Sequence, residues 1–105
     1  MDIKTLKEAA LKFGTPIYLY DLKIIQNQFD KLNKELSVLN GYKIHFAAKS
    51  LSNISILKFI RRQGAGLDAV SIEEVRIGLK CGFLKDEIIY TPNGVCIDEI
   101  INAHN

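Results

Sequence analysis

The chain opens with apolar residues at Ile3, Leu6, Ala9, Ala10 and Phe13, steps that predict an amphipathic helix. Asp2 stands at its N-cap and Gly14 at its stop. After Thr15-Pro16, the run Ile17-Tyr18-Leu19-Tyr20 is rich in β-formers and predicts a short strand. Asp21 then caps the clearest helix in the sequence. Leu22, Ile25, Phe29, Leu32, Leu36 and Leu39 alternate steps of three and four, which places one apolar stripe on a polar helix ending at Asn40-Gly41.

From Tyr42 onward the rhythm becomes strand, helix, strand, helix, strand. Tyr42 to Ala48 reads as a strand, and Asn53 or Ser52 caps a helix whose apolar face is Ile54, Leu57 and Ile60. Gly64 stops that helix after Arg61-Arg62, two cations where the helix dipole favours them. Gly66 to Val70 is the second strand. Ser71-Ile72-Glu73-Glu74 has the form of a capping box, with Ser71 at N-cap and Glu74 at N3, and opens a helix running to Gly82. Glu87 to Tyr90 is a third strand, Thr91-Pro92-Asn93-Gly94 a loop, and a last helix starts near Asp98.

Strands alternating with helices imply parallel pairing through right-handed crossovers. Three βα units make either a small open α/β sheet or the front of a (β/α)₈ barrel, which needs eight units and about 250 residues. The last helix is cut off at Asn105, which favours the barrel and predicts a fragment. On that reading residues 1–105 are a single partial domain. Residues 1–40 are a helix, a strand and a lead-in helix, and residues 41–105 are the first βα units.

Composition narrows the class. Hydrophobic residues at 48% and charged residues at 25% can bury a core, so disorder is excluded. No stretch approaches the ~20 apolar residues of a membrane span. A formal charge of +2, dispersed along the chain, argues against a nucleic-acid partner. The start Met-Asp-Ile-Lys carries neither a signal core nor a transit segment, so a cytoplasmic protein is expected. Cys81 and Cys96 make neither a disulfide framework nor a metal site and are expected to be reduced, small apolar side chains.

The strand Tyr42–Ala48 and the lysine after it carry the first candidate chemistry. Alternation puts Ile44, Phe46 and Ala48 on one face and His45, Ala47 and Lys49 on the other. If the apolar face meets the helices, the second face presents small Ala47 below a lysine at the carboxyl end, where α/β folds bind ligands. An amine there can attack a carbonyl, or it can simply extend into solvent. Asp68 on the next strand is either a counter-charge to that lysine or a cap for the following helix. Glu74 serves the capping box unless its carboxylate also points at the site. His45 reads as a ligand contact or as a satisfied core histidine, and His104 carries no signal.

Four phrases stand in order: Thr15-Pro16-Ile17-Tyr18-Leu19-Tyr20-Asp21, His45-Phe46-Ala47-Ala48-Lys49-Ser50 with Asn53, Gly64 to Glu74, and Tyr90-Thr91-Pro92-Asn93-Gly94. Together they resemble the N-terminal part of the diaminopimelate decarboxylase family. That family lies in the alanine racemase-like (fold type III) class of pyridoxal-phosphate enzymes, with the ornithine and arginine decarboxylases. Its phrases have the form T-P-x-Y-x-Y-D, Y-A-x-K-A-N and G-x-D-x-x-S-x-x-E. The departures here are Phe46 for the usual Tyr, Ser50-Leu51-Ser52-Asn53 for A-N-x-N, and Pro92-Asn93-Gly94-Val95 where many members have G-N-G-K.

The resemblance implies an α/β fold, the N-terminal part of a pyridoxal-phosphate-binding TIM-type barrel followed in the whole enzyme by a C-terminal β domain. It implies a homodimer, and a first strand (Ile17–Tyr20) paired with that second domain. Lys49 would hold pyridoxal 5′-phosphate covalently, and Ala47, Asp68 and Glu74 would lie beside the cofactor. The implied substrate is a small amino acid. Its first form is meso-2,6-diaminopimelate, converted to L-lysine and carbon dioxide in the final step of lysine biosynthesis. Ornithine, arginine or carboxynorspermidine are the alternatives, and a non-catalytic α/β binding module is the reading without the resemblance. The family's phosphate loop, its acidic partner of the pyridine nitrogen and its cysteine segment lie further along, so these 105 residues alone are expected to be inactive.

Overall fold

In the computed structural model, which describes residues 1–104, the Asp2 carboxylate accepts from the Thr5 N–H at 2.7 Å and opens α1, Ile3–Phe13. Gly14 closes it in the left-handed region, as the sequence predicts. The apolar stripe of α1 stays largely uncovered among the described residues, with Ile3 and Phe13 both exposed. Asp21 caps α2, Leu22–Leu36, by accepting from the N–H groups of Lys23 and Ile24. Ile25 and Phe29 of α2 pack against buried Ile56, Ile60 and Ala65.

The rest follows the alternating rhythm: β1 His45–Ala47, α3 Ile54–Arg62, β2 Gly66–Ala69, α4 Ile72–Lys80, β3 Ile88–Tyr90 and α5 Ile97–His104. The strands form one parallel sheet in the order β1-β2-β3. Short connections force each helix to return the chain to the same end of the sheet. Across the sheet the register sets Phe46 beside Leu67 beside Ile88, and this row faces the helices. Leu57 of α3 and Leu67 are fully buried there, with Ala48, Cys81 and Phe83 around them. Burying one such leucine stabilises the fold by about 1.5–3 kcal/mol. Gly78 lets α4 approach closely, since a Cβ there would stand 2.5 Å from Leu67 Cδ2.

Four expectations are corrected. Ile17–Tyr20 forms no strand, because no partner edge lies beside it among the described residues. Helix α2 stops at Leu36, three residues short of Leu39. The Ser37 hydroxyl and N–H both take the Lys34 carbonyl, and Val38 and Leu39 are exposed, so no burial rewards a further turn. The first strand is His45–Ala47 rather than Tyr42–Ala48. Its ladder begins where the Gly66 N–H meets the Ile44 carbonyl at 2.9 Å, and a 3₁₀ turn over Ala48–Ser50 ends it. On α3 the buried face is Ile56, Leu57 and Ile60, with Ile54 exposed in the first turn. No helix among the described residues is long and apolar enough to cross a membrane.

Candidate active site

Because Phe46, Leu67 and Ile88 face the helices, their strand neighbours face the other way. That second face carries Ala47, Asp68 and Ile89 in one register row. One row below, His45 pairs with Gly66, and its imidazole lies across the space a side chain on Gly66 would need. Asp68 sits at the carboxyl end of β2, about one strand spacing (~4.8 Å) from β1. Its Oδ1 accepts from the Thr91 hydroxyl at 2.5 Å.

Lys49 follows β1 within the 3₁₀ turn, which the Leu51 N–H closes on the Ala48 carbonyl and the Ser50 hydroxyl on the Ala47 carbonyl. The turn, rather than strand alternation, sets its position. Its side chain is exposed, and no ion pair joins it to Asp68 among the described residues. Asn53 accepts from the Ser55 and Ile56 N–H groups and starts α3 four residues later, so the lysine's turn is pinned between β1 and a capped helix.

Only half of the capping box forms as drawn from the sequence. Ser71 Oγ accepts from the Glu74 N–H at 3.3 Å, but Glu74 Oε2 accepts from the Val70 N–H at 2.8 Å rather than from Ser71. Glu74 thus ties the end of β2 to the start of α4. Sequence reasoning missed Thr91 as the partner of Asp68. The signal was its place just after a strand, on the parity that shares Asp68's face.

On the helix side, the Tyr90 hydroxyl donates to Glu99 Oε1 at 2.8 Å and fastens α5 to β3. Burial, then the Glu99 carboxylate, push the Tyr90 phenol up to about 12. At the opposite end of β3, Glu87 Oε2 accepts from the Leu84 N–H at 2.8 Å and from Arg61 Nε at 3.1 Å. The Leu84 N–H and then Arg61 hold that carboxyl below its ordinary value. Both cysteines are free; Cys81 is buried, and burial pushes its thiol up.

A parallel α/β sheet with an amine and a carboxylate at the carboxyl ends of adjacent strands is the arrangement with which a TIM-type barrel begins. Residues 22–105 match the family described as "Pyridoxal-dependent decarboxylase, pyridoxal binding domain", and the chain belongs to that family. It is similar to the diaminopimelate decarboxylase of Methanothermobacter thermautotrophicus, 33% identical over 89% of this chain and 22% of the relative. Against that of Campylobacter jejuni it is 36% identical over 98% of this chain and 25% of the relative. The structure of diaminopimelate decarboxylase from Helicobacter pylori complexed with L-lysine superposes with a TM-score of 0.76. That match covers 94% of this chain and 25% of the other, at 33% identity. The chain therefore spans about a quarter or less of the length of these relatives.

The donor set fits the cofactor that the family binds. Pyridoxal phosphate offers an aldehyde, and Lys49 is a primary amine in the open with no ion pair among the described residues. Ala47 is a small side chain on the same sheet face as Asp68, whose carboxylate can offset a cationic nitrogen.

Proposed function

We propose that this chain is the cofactor-holding part of an amino-acid decarboxylase acting on meso-2,6-diaminopimelate, with L-lysine and carbon dioxide as products. The observation that carries this reading is identity of 33–36% to curated diaminopimelate decarboxylases over nearly the whole chain. Within it, residues 1–40 lead in and residues 41–105 supply the first βα units. The assembly is a cytoplasmic homodimer.

Lys49 holds pyridoxal 5′-phosphate covalently, and Ala47 leaves room beside it for a flat ring. Asp68 places negative charge at the end of the neighbouring strand, which favours a protonated nitrogen over a neutral one. Glu74, through Val70, fixes the end of β2 that carries Asp68. When bound, the cofactor supplies an electron sink that accepts the charge left as carbon dioxide departs. Turnover of diaminopimelate, ornithine and arginine by the full polypeptide that carries this chain tests the substrate. Turnover of ornithine or arginine without diaminopimelate refutes it.

A further inference from the structure

Strand β3 is tied to β2 twice just past its last residue. The Thr91 N–H donates to the Ala69 carbonyl at 2.8 Å, carrying the ladder one step beyond Tyr90. The Thr91 hydroxyl donates to Asp68 Oδ1 at 2.5 Å. The backbone bond fixes where the hydroxyl starts, so the carboxylate it reaches is fixed too. At 2.5 Å the contact stands at the short end of the range for O–H···O hydrogen bonds.

A carboxylate at a strand end has a competing use, which is to cap the following helix. That use is already filled here. Ser71 caps α4 through the Glu74 N–H, and Glu74 takes the Val70 N–H. Asp68 is thereby free of the helix, and its one hydrogen bond among the described residues goes across the sheet to Thr91. Its other oxygen, Oδ2, has no hydrogen bond among them.

From these contacts we propose that Thr91 is a positioning residue of the cofactor site, acting through Asp68 to hold its charge at the carboxyl edge of the sheet beside the end of β1. The proposal rests on Lys49 as the point of covalent attachment. Without the hydroxyl, the Asp68 side chain regains its rotamers, and its charge is no longer held on that edge.

The test uses the full polypeptide that carries this chain, titrated with pyridoxal phosphate, reduced with borohydride and peptide-mapped. The readout is the cofactor concentration that gives half-maximal attachment at Lys49. Thr91→Val should raise it on the order of tenfold, the loss of one hydrogen bond to a charged group. Thr91→Ser keeps the donor and should stay within about twofold. In an Asp68→Asn background, Thr91→Val should add nothing further, because a residue acting through another is silent once that partner is changed. A merely structural threonine would weaken attachment equally in both backgrounds, and that result overturns the proposal. So does an unchanged Thr91→Val beside a weakened Asp68→Asn. Wild-type attachment at a lysine other than Lys49 would refute the functional reading itself, and this proposal with it.

Discussion

Replacing Gly66 by alanine measures how closely the sheet face that carries Asp68 is packed at the start of β2. A Cβ there would stand 2.6 Å from His45 Nε2 and 2.7 Å from the Glu87 carbonyl oxygen. The imidazole is the end of a side chain and can turn aside. The carbonyl is backbone at the entry to β3, and the Glu87 side chain is anchored on the Leu84 N–H and Arg61. Ordinary contact begins at 3.4 Å, so that carbonyl is 0.7 Å too close. Overpacking of this kind costs about 1–3 kcal/mol. Relief of glycine's entropy in a strand returns about 0.5–1 kcal/mol. The net expectation is a loss of about 1 kcal/mol, within a span of roughly 0–2.5 kcal/mol. In urea unfolding it should appear as a lower midpoint with an unchanged slope. His45→Ala combined with Gly66→Ala should recover only part of the loss, because the carbonyl clash remains. A Gly66→Ala protein more stable than the parent would refute the close approach, and full recovery in the double variant would refute the role given to the backbone.

Three further outcomes are expected. Asn53→Ala removes the cap that accepts from Ser55 and Ile56 and should cost about 1 kcal/mol in thermal or urea unfolding; no loss would mean the cap is not formed in solution. Glu87 is held below its ordinary 4.5, so its stabilisation is present above that value and lost as pH falls through the lower folded value. The stability gap between wild type and Glu87→Gln should be steady near neutrality and close below pH 4.5, and a gap that widens there would contradict the assignment. Tyr90, pushed up to about 12, contributes stability that is present below its ordinary 10.0 and lost as pH rises through the folded value. Tyr90→Phe should delete the highest-pH step of the phenolate absorbance, and deletion of a step near 10 instead would count against the Glu99 bond.

What the sequence made legible is what local chemistry decides. Asp2, Asp21 and Ser71 each cap the helix the pattern assigned them, and of Asn53 and Ser52 it is Asn53 that caps α3, because an N-cap bond spans only two or three residues. The parallel order of the three strands followed from their helical crossovers. Strand ends were less legible, since a ladder stops where its neighbour stops. Tyr42 and Lys43 have no β2 residue opposite them, because the register sets them beside Gln63 and Gly64, which are still leaving α3. The same non-local dependence hid the Asp68–Thr91 bond, which joins residues far apart in sequence, and it left Ile17–Tyr20 without a strand partner among the described residues. Lys49 was placed at the right end of the sheet, although a turn and not the strand carries it there.

The most direct test of the central claim is where pyridoxal phosphate attaches. The full polypeptide that carries this chain is incubated with the cofactor, reduced with borohydride and digested, and the modified peptide is sequenced. The expected adduct is on Lys49, in the peptide that follows Lys43, and Lys49→Arg should abolish it while keeping the fold and the local charge. A guanidinium stays protonated and is no nucleophile at working pH. An adduct on Lys43 or another lysine, or undiminished labelling and turnover in Lys49→Arg, would contradict the claim.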